Sequence, residues 1–484
     1  MQNKTSLNFL KNFFIISSGT LLNIIISIFT TPIITRIVSP LQYGQWSIFI
    51  LYSNMVVTVL CLGLDQALIR FFYDYNEIEY HRSLFRFCFG SSFVISAIFG
   101  GLFTILIVTH VIPFEFDKFI SILLSINILA SLFNRFSLLL LRILYKTKLY
   151  TLCTILIKVI FVISALMLLH YYPKFHFEWL CVSTLLSNFL PGMIACILTK
   201  KMWCFYPKWN ILNRREILGY GLPFVLSMGL TTLFQAIDKI SLNYYCTYTE
   251  VGVYASAITI VNVFAIIQSA FNTLWAPIQS ERLTKELTNK NFFREINQYV
   301  TVIMLFFGIL LIVSKDFLIF LLGPEFRKAA YIVPFLIFNP IMYTISETTT
   351  SGIEYTKKSY LYIFVGIISC LTNFAGNLIL VPVFQSVGAA ISTGLSYIVF
   401  WALRTYYSNK YFYVDYRIKQ LIICLLFMIL LALYSSFKKL DFITIILSCA
   451  NILIISALYK NYIGNMYKYI KRYCVQYISA IRKK

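Results

Sequence analysis

Apolar segments of 20 or more residues follow one another from Phe13 to Tyr459. Each is long enough to cross a ~30 Å hydrocarbon core as a helix rising ~1.5 Å per residue. In lipid every backbone N–H and C=O must find its partner inside the protein, so only helices and closed barrels span a bilayer. A barrel would show period-two alternation in segments of about ten residues, and these runs are continuous. Of 484 residues, 59% are hydrophobic and 12% are charged, whereas an ordinary soluble domain is about a quarter charged. The sequence predicts an all-α polytopic membrane protein and excludes a water-soluble globule.

Helix starts are expected near Asn12, Gly44, Arg86, Lys118, Leu149 and Phe177, then near Ile217, Val251, Phe292, Ala329, Ser359 and Ser386, with two more near Tyr416 and Asp441, which makes about 14 transmembrane helices. The second six starts follow the first six by 205 to 211 residues, an offset regular enough to suggest a duplicated six-helix unit. An even number of spans per unit gives both units the same orientation, the parallel type of transporter repeat. The expected division is an N-terminal lobe over 1–199, a basic cytoplasmic linker over 200–216, a second lobe over 217–410, two additional helices over 411–460 and a basic cytoplasmic tail over 461–484. The linker carries Lys200, Lys201, Lys208, Arg214 and Arg215. Its Trp203, Phe205, Tyr206 and Trp209 suggest a short tether lying on the membrane interface. The run from Phe13 to Ile34 is too long for a signal-peptide core and lacks a small-residue cleavage site, so it is expected to be a retained first helix.

The formal charge of +22 would suit nucleic acid in a soluble chain. In a polytopic chain the same excess sets topology, so no nucleic-acid partner is expected. With the N-terminus inside, cytoplasmic segments hold about thirty of the Lys and Arg residues and external loops about eight, so both termini are expected in the cytoplasm. No external connection exceeds about fifteen residues, whereas membrane glycosyltransferases and polymerases usually need a sizeable external loop or domain. The 11 cysteines are scattered singly with no CxxC spacing. His81, His110, His170 and His176 show no i, i+4 pair, so no metal site is implied. Walker A and GxSxG motifs are both missing, so neither a nucleotide-driven nor a hydrolytic reading gains support.

Charges inside spans are costly and default to functional candidates. Arg36, Asp65, Arg70, Arg135, Arg142, Lys158, Asp238, Lys239 and Glu347 lie within or at the ends of spans, and most are cationic. Lys158 lies nine residues into a helix from Leu149, about 13 Å deep and so close to the bilayer midplane. Arg135 and Arg142 are seven residues apart and share a helix face. Together with Lys158 they form a candidate cationic cavity for an anion. Arg36, Arg70 and Arg142 equally suit helix ends at headgroup level, where long basic side chains snorkel. Asp65 and Arg70, five apart, are poor partners for each other, and each is expected to meet another helix. Asp238 and Lys239 fit either a salt bridge across helices or a coupling-ion site. Proton or sodium coupling stays open, and no other cofactor is expected. Gly219, Gly221 and Pro223 are expected to bend or break the seventh helix, giving a hinge.

Thr31 to Phe49 (TPIITRIVSPLQYGQWSIF), Leu62 to Phe72 (LGLDQALIRFF) and, between Leu218 and Ala257, the segments LGYGLPFVLS, AIDKISL and VGVYASA resemble the polysaccharide biosynthesis proteins that flip lipid-linked oligosaccharides. That family belongs to the superfamily that includes multidrug and toxin extruders and peptidoglycan-precursor flippases. The resemblance implies a V-shaped pair of six-helix lobes plus two peripheral helices, working by alternating access and carrying no enzymatic activity. It also implies a substrate, a short glycan on a polyprenyl pyrophosphate, moved from the cytoplasmic to the external leaflet of the bacterial inner membrane for O-antigen, capsule or exopolysaccharide. Membrane lipids are partners on this reading, with a polymerase and a chain-length regulator as open candidates. The family's arginine before the SPxxYG turn falls on Arg36, its Gly-x-Asp and following arginine on Asp65 and Arg70, and the acid and base of its second lobe on Asp238 and Lys239. A cation-coupled drug exporter of the same fold is the alternative, and it would favour acidic cavity residues. A membrane-embedded glycosyltransferase or polymerase is disfavoured by the short external loops.

Overall fold

The computed structural model describes residues 18–109, 115–203, 213–285 and 290–468, apart from residues 20 and 24. The regular structure of these residues is helical throughout, with no strand among them. Among the described residues eight helices are long and apolar enough to cross a membrane, or up to eleven when each of three bent pairs is one span. The chain divides into two compact units, Met1–Lys239 with Thr247–Ala255, and Ile240–Cys246 with Ser256–Lys484.

The first unit contains α1 (Leu21–Thr35), α2 (Pro40–Leu60), α3 (Leu64–Phe71), α4 (Ile78–Val108), α5 (Lys118–Ile143), α6 (Thr147–Tyr171), α7 (His176–Leu198), most of α8 (Arg214–Tyr245) and the start of α9 (Tyr248–Val261). The sequence Ser-Pro-Leu-Gln starts α2 by local chemistry. Ser39 caps the helix, Gln42 returns the bond to the Ser39 backbone, and Pro40 occupies the first turn, where its missing N–H has no helical partner to lose. The helix stops where Leu62 and Gly63 take φ values of 52° and 65°. The chain then resumes as α3 at an angle of 49°.

Gly63 is required twice over at that turn. Its φ lies in the left-handed region that glycine tolerates, and a methyl group placed on it would run into the carbonyl oxygen of Gly221 in α8. Gly219, Gly221 and Pro223, expected to bend or break their helix, instead sit inside the one continuous helix α8. Gly221 is small because α3 begins against it. A second close approach joins α2 to α9. A methyl on Gly44 would strike the Tyr248 carbonyl, and one on Gly252 would strike that of Pro40. Pro40 and Tyr248, like Gly44 and Gly252, lie 208 residues apart, so matching positions of the suspected repeat meet reciprocally.

The apolar core of this unit is strongly aromatic. Phe85, Phe89 and Phe133 surround Trp203, whose ring centroid lies 4.9 Å from Phe85, 5.0 Å from Phe89 and 5.3 Å from Phe133. The beginning of the expected linker is thus embedded in the unit: Lys200–Met202 forms a 3-10 turn, and Trp203 donates its indole N–H to Thr199 at 3.2 Å. Phe205, Tyr206, Lys208 and Trp209 lie outside the described residues. Asn213 caps α8 by accepting from the Glu216 N–H at 3.3 Å, and Glu216 accepts from the Asn213 amide at 3.0 Å.

The second unit contains the rest of α9, then α10 (Phe264–Lys285), α11 (Lys290–Phe320), a 3-10 segment at Pro324–Tyr331, α12 (Val333–Leu336), α13 (Phe338–Thr348), α14 (Ser351–Thr356), α15 (Tyr360–Tyr411), α16 (Ile418–Ser435) and α17 (Phe442–Leu458). The 52-residue α15 is two helices, because Gln385 adopts φ 52°, ψ −131° within it. Lys315 is a fully buried residue of α11. Its ammonium donates to the carbonyls of Ser435 at 2.6 Å and Lys438 at 2.7 Å. A cation there satisfies the orphan carbonyls at the end of α16 and meets the negative end of its dipole. Asp441 caps α17 through the Thr444 N–H, and the Tyr434 hydroxyl beside it holds its carboxyl below the ordinary carboxylate range.

Gly63→Ala should lower the melting temperature of the purified protein clearly, since left-handed strain alone costs about 1–2 kcal/mol before the collision with Gly221 is counted. Gly90→Ala, whose methyl would meet nothing within 4 Å, should leave it unchanged or raise it, because alanine is favoured over glycine inside a helix by about 0.5–1 kcal/mol. Equal melting temperatures for the two variants would contradict the close approach of α3 and α8.

Candidate functional site

Asp65 stands in the first turn of α3, where the helix dipole favours an acid. It is 4% exposed, and a buried carboxylate needs a partner. Arg135 of α5 supplies it, donating Nη2 at 2.6 Å and Nε at 3.0 Å to the same carboxylate oxygen. The Gln66 amide adds a bond at 3.1 Å, and Arg135 also approaches the Met228 sulfur of α8. The expectation that Asp65 would meet another helix is realised in this pair. Arg70 does not reach a second helix. It stays exposed and binds Asp74 at 2.9 Å, one turn further along its own chain.

Lys158 lies near the middle of α6, exposed to a chamber between α2, α5, α6 and α7. Among the described residues its ammonium has neither an ion pair nor a hydrogen bond. The chamber does not include Arg135 or Arg142, so the three cations expected to share one cavity are placed apart: Arg135 pairs with Asp65, and Arg142 is exposed in the last turn of α5. Part of the chamber wall is polar. Asn127 donates to Ser53 at 2.9 Å, and Asn188 donates to Asn127 at 3.1 Å and to Ser131 at 3.0 Å. These uncharged residues escape a search for intramembrane charges. The signal available in the sequence is the i, i+4 spacing of Asn127 with Ser131 and of Thr184 with Asn188, each pair on one helix face.

Arg36 is exposed in the turn between α1 and α2. Asp238 in α8 is buried and accepts from the Tyr254 hydroxyl at 2.6 Å, while its neighbour Lys239 is half-buried. In the second unit Glu347 of α13 accepts from Arg404 of α15 at 2.7 Å. Arg404 is 6% exposed. It also donates to Ser346 at 2.8 Å and lies 5.0 Å from the ring centres of both Tyr362 and Phe400. Sequence reasoning passed over Arg404 because it falls near the expected end of a helix. Glu347, an acid inside an apolar segment that had to find a cation, was the signal. No group of three or more metal-ligating side chains occurs among the described residues.

Closely packed apolar helices with paired internal charges make this a multi-pass membrane protein. The chain belongs to the polysaccharide biosynthesis protein family, whose model matches residues 9–283. It is 23% identical over 248 residues to the probable low-salt glycan biosynthesis flippase Agl15 of Haloferax volcanii, covering 49% of this chain and 51% of that protein. It is 22% identical over 225 residues to the uncharacterized membrane protein MJ1068 of Methanocaldococcus jannaschii, covering 44% of each. The chain thus spans about half the length of the curated relatives it matches. In fold it is similar to the lipid II flippase MurJ in an inward closed conformation, with a TM-score of 0.70 at 13% identity over 94% of this chain and 99% of that one. It is also similar to an inward-facing multidrug resistance MATE transporter of the MOP superfamily, with a TM-score of 0.56 at 16% identity over 84% and 96% of the two chains.

Removing one member of a buried ion pair strands the other, at about 3–5 kcal/mol where burial is complete. Arg135→Met and Asp65→Leu should each lower the melting temperature, and the double variant should recover most of the loss. Additive losses in that cycle would show that the two side chains do not depend on each other.

Proposed function

We propose that this protein moves polyprenyl-pyrophosphate-linked oligosaccharides from the cytoplasmic to the external leaflet by alternating access, supplying O-antigen, capsule or exopolysaccharide synthesis at a bacterial cytoplasmic membrane. The observation that carries the reading is Lys158, an unpaired cation at the middle of an apolar helix, open to a polar chamber. Such a position is costly unless a ligand or water uses it. Membership of the polysaccharide biosynthesis family and the MurJ-like fold support the same direction. A pyrophosphate headgroup and sugars cannot cross hydrocarbon unaided, whereas a wet cationic path shields them and leaves the polyprenyl tail in lipid.

In this reading both termini are cytoplasmic, and the repeats over 1–199 and 217–410 are the moving lobes. Arg36, Arg142 and Lys239 are further cations along the substrate path. Arg70 and Arg135 contribute through their partners Asp74 and Asp65. A drug exporter of the same fold would favour available acids. Here Asp65 and Glu347 are neutralised by arginines, and Asp238 is bonded to Tyr254, which favours an anionic cargo.

Deleting the gene should make lipid-linked repeat units accumulate on the cytoplasmic leaflet with loss of surface glycan. Unchanged glycan alongside new drug sensitivity would overturn the reading. Lys158→Ala should abolish complementation at normal protein levels. Full activity in that variant would remove Lys158 from the substrate path.

A further inference from the structure

The chamber beside Lys158 measures about 210 Å³, below the roughly 300–1,000 Å³ of sites that enclose drug-sized ligands. It suits one ring and not an oligosaccharide. One wall is aromatic: Trp46 and Phe161 stack at 5.2 Å with planes 10° apart, and the Trp46 indole is fixed by a 2.9 Å bond to Thr184. The polar part of the lining is already tied together by Asn127, Asn188, Ser53 and Ser131, so those amides are held in place. Two side chains remain whose polar ends have no partner among the described residues, the Lys158 ammonium and the Asn54 amide, both exposed to the chamber.

A single cation beside an amide matches a ligand with one negative charge and an adjacent hydroxyl. Pyrophosphate is a poor match, because it carries more than one charge and the chamber offers only one cation. The surplus would find no second cation in the chamber. A neutral sugar would leave the ammonium unused. We propose that this chamber is a subsite for one acidic sugar of the cargo, a pyranose with a ring carboxylate. The carboxylate meets Lys158, a ring hydroxyl meets Asn54, and the apolar face of the ring lies on the aromatic wall. The proposal rests on the flippase reading, and it adds that the cargo contains a uronic-acid-type unit.

The full-length protein in lipid nanodiscs is titrated with glucuronate, glucose and inorganic pyrophosphate at matched ionic strength. Melting temperature and the tryptophan fluorescence of Trp46 are followed, with Trp46→Phe as the spectral control. Glucuronate should raise the melting temperature and perturb Trp46, whereas glucose and pyrophosphate should do so weakly. Lys158→Gln should weaken glucuronate binding by about tenfold or more, as expected for a lost charged hydrogen bond. Asn54→Ala, which removes no side-chain hydrogen bond among the described residues, should weaken it several-fold and so preserves the test if the lysine variant folds poorly.

Equal responses to glucose and glucuronate that survive Lys158→Gln would overturn the acidic-sugar assignment. Lys158-dependent binding of pyrophosphate in preference to glucuronate would overturn it too, giving the chamber to the phosphate linkage. The flippase reading fails separately, if proteoliposomes holding the wild-type protein do not transfer lipid-linked glycan whether or not glucuronate binds.

Discussion

A polar group without a partner in hydrocarbon costs several kcal/mol, and the internal charges of this protein are arranged around that cost. Asp65 is met by Arg135 from a second helix, Glu347 by Arg404, and Asp238 by the Tyr254 hydroxyl. Lys315 spends its charge on the carbonyls that end α16. Each pair fixes the position of one helix against another, so the same bonds that cancel the desolvation cost set helix register. Against this background Lys158 stands out: it is as central in its helix as any of them, yet it opens to a chamber where the others face a partner.

Satisfying those groups requires helices to come close, and in lipid little hydrophobic drive pushes them together, so small residues at crossings matter more than in water. Gly63 and Gly221 let the start of α3 touch α8, and Gly44 and Gly252 let α2 touch α9. The first contact sits two residues before Asp65, so the packing of Gly63 also positions the carboxylate for Arg135. The second joins two segments 208 residues apart along the chain.

Much of the element layout was legible beforehand. The expected start near Lys118 is where α5 begins, and the expected start near Ser386 falls at the break made by Gln385. The Ser-Pro-Leu-Gln cap was equally open to reading, since a capping box acts within four residues. The site was less accessible. Gly219, Gly221 and Pro223 looked like a break from propensity alone, yet α8 runs on through all three. Arg135 looked like a free cation because Asp65 is 70 residues away along the chain. The Asn127–Asn188 network went unseen because neutral amides carry no sequence signal as strong as a charge.

By itself the sequence determined an all-helical membrane fold and the places where most helices start. Those properties follow from the length and hydropathy of each run against a bilayer of fixed thickness, and from caps that act locally. Only the tertiary structure decided which charges are spent on one another and which are left to act. Whether two side chains come within about 3 Å depends on the crossing of helices far apart in the chain, which no local spacing specifies. That crossing turned Arg135 into the partner of Asp65 and left Lys158 and Asn54 facing the same open space.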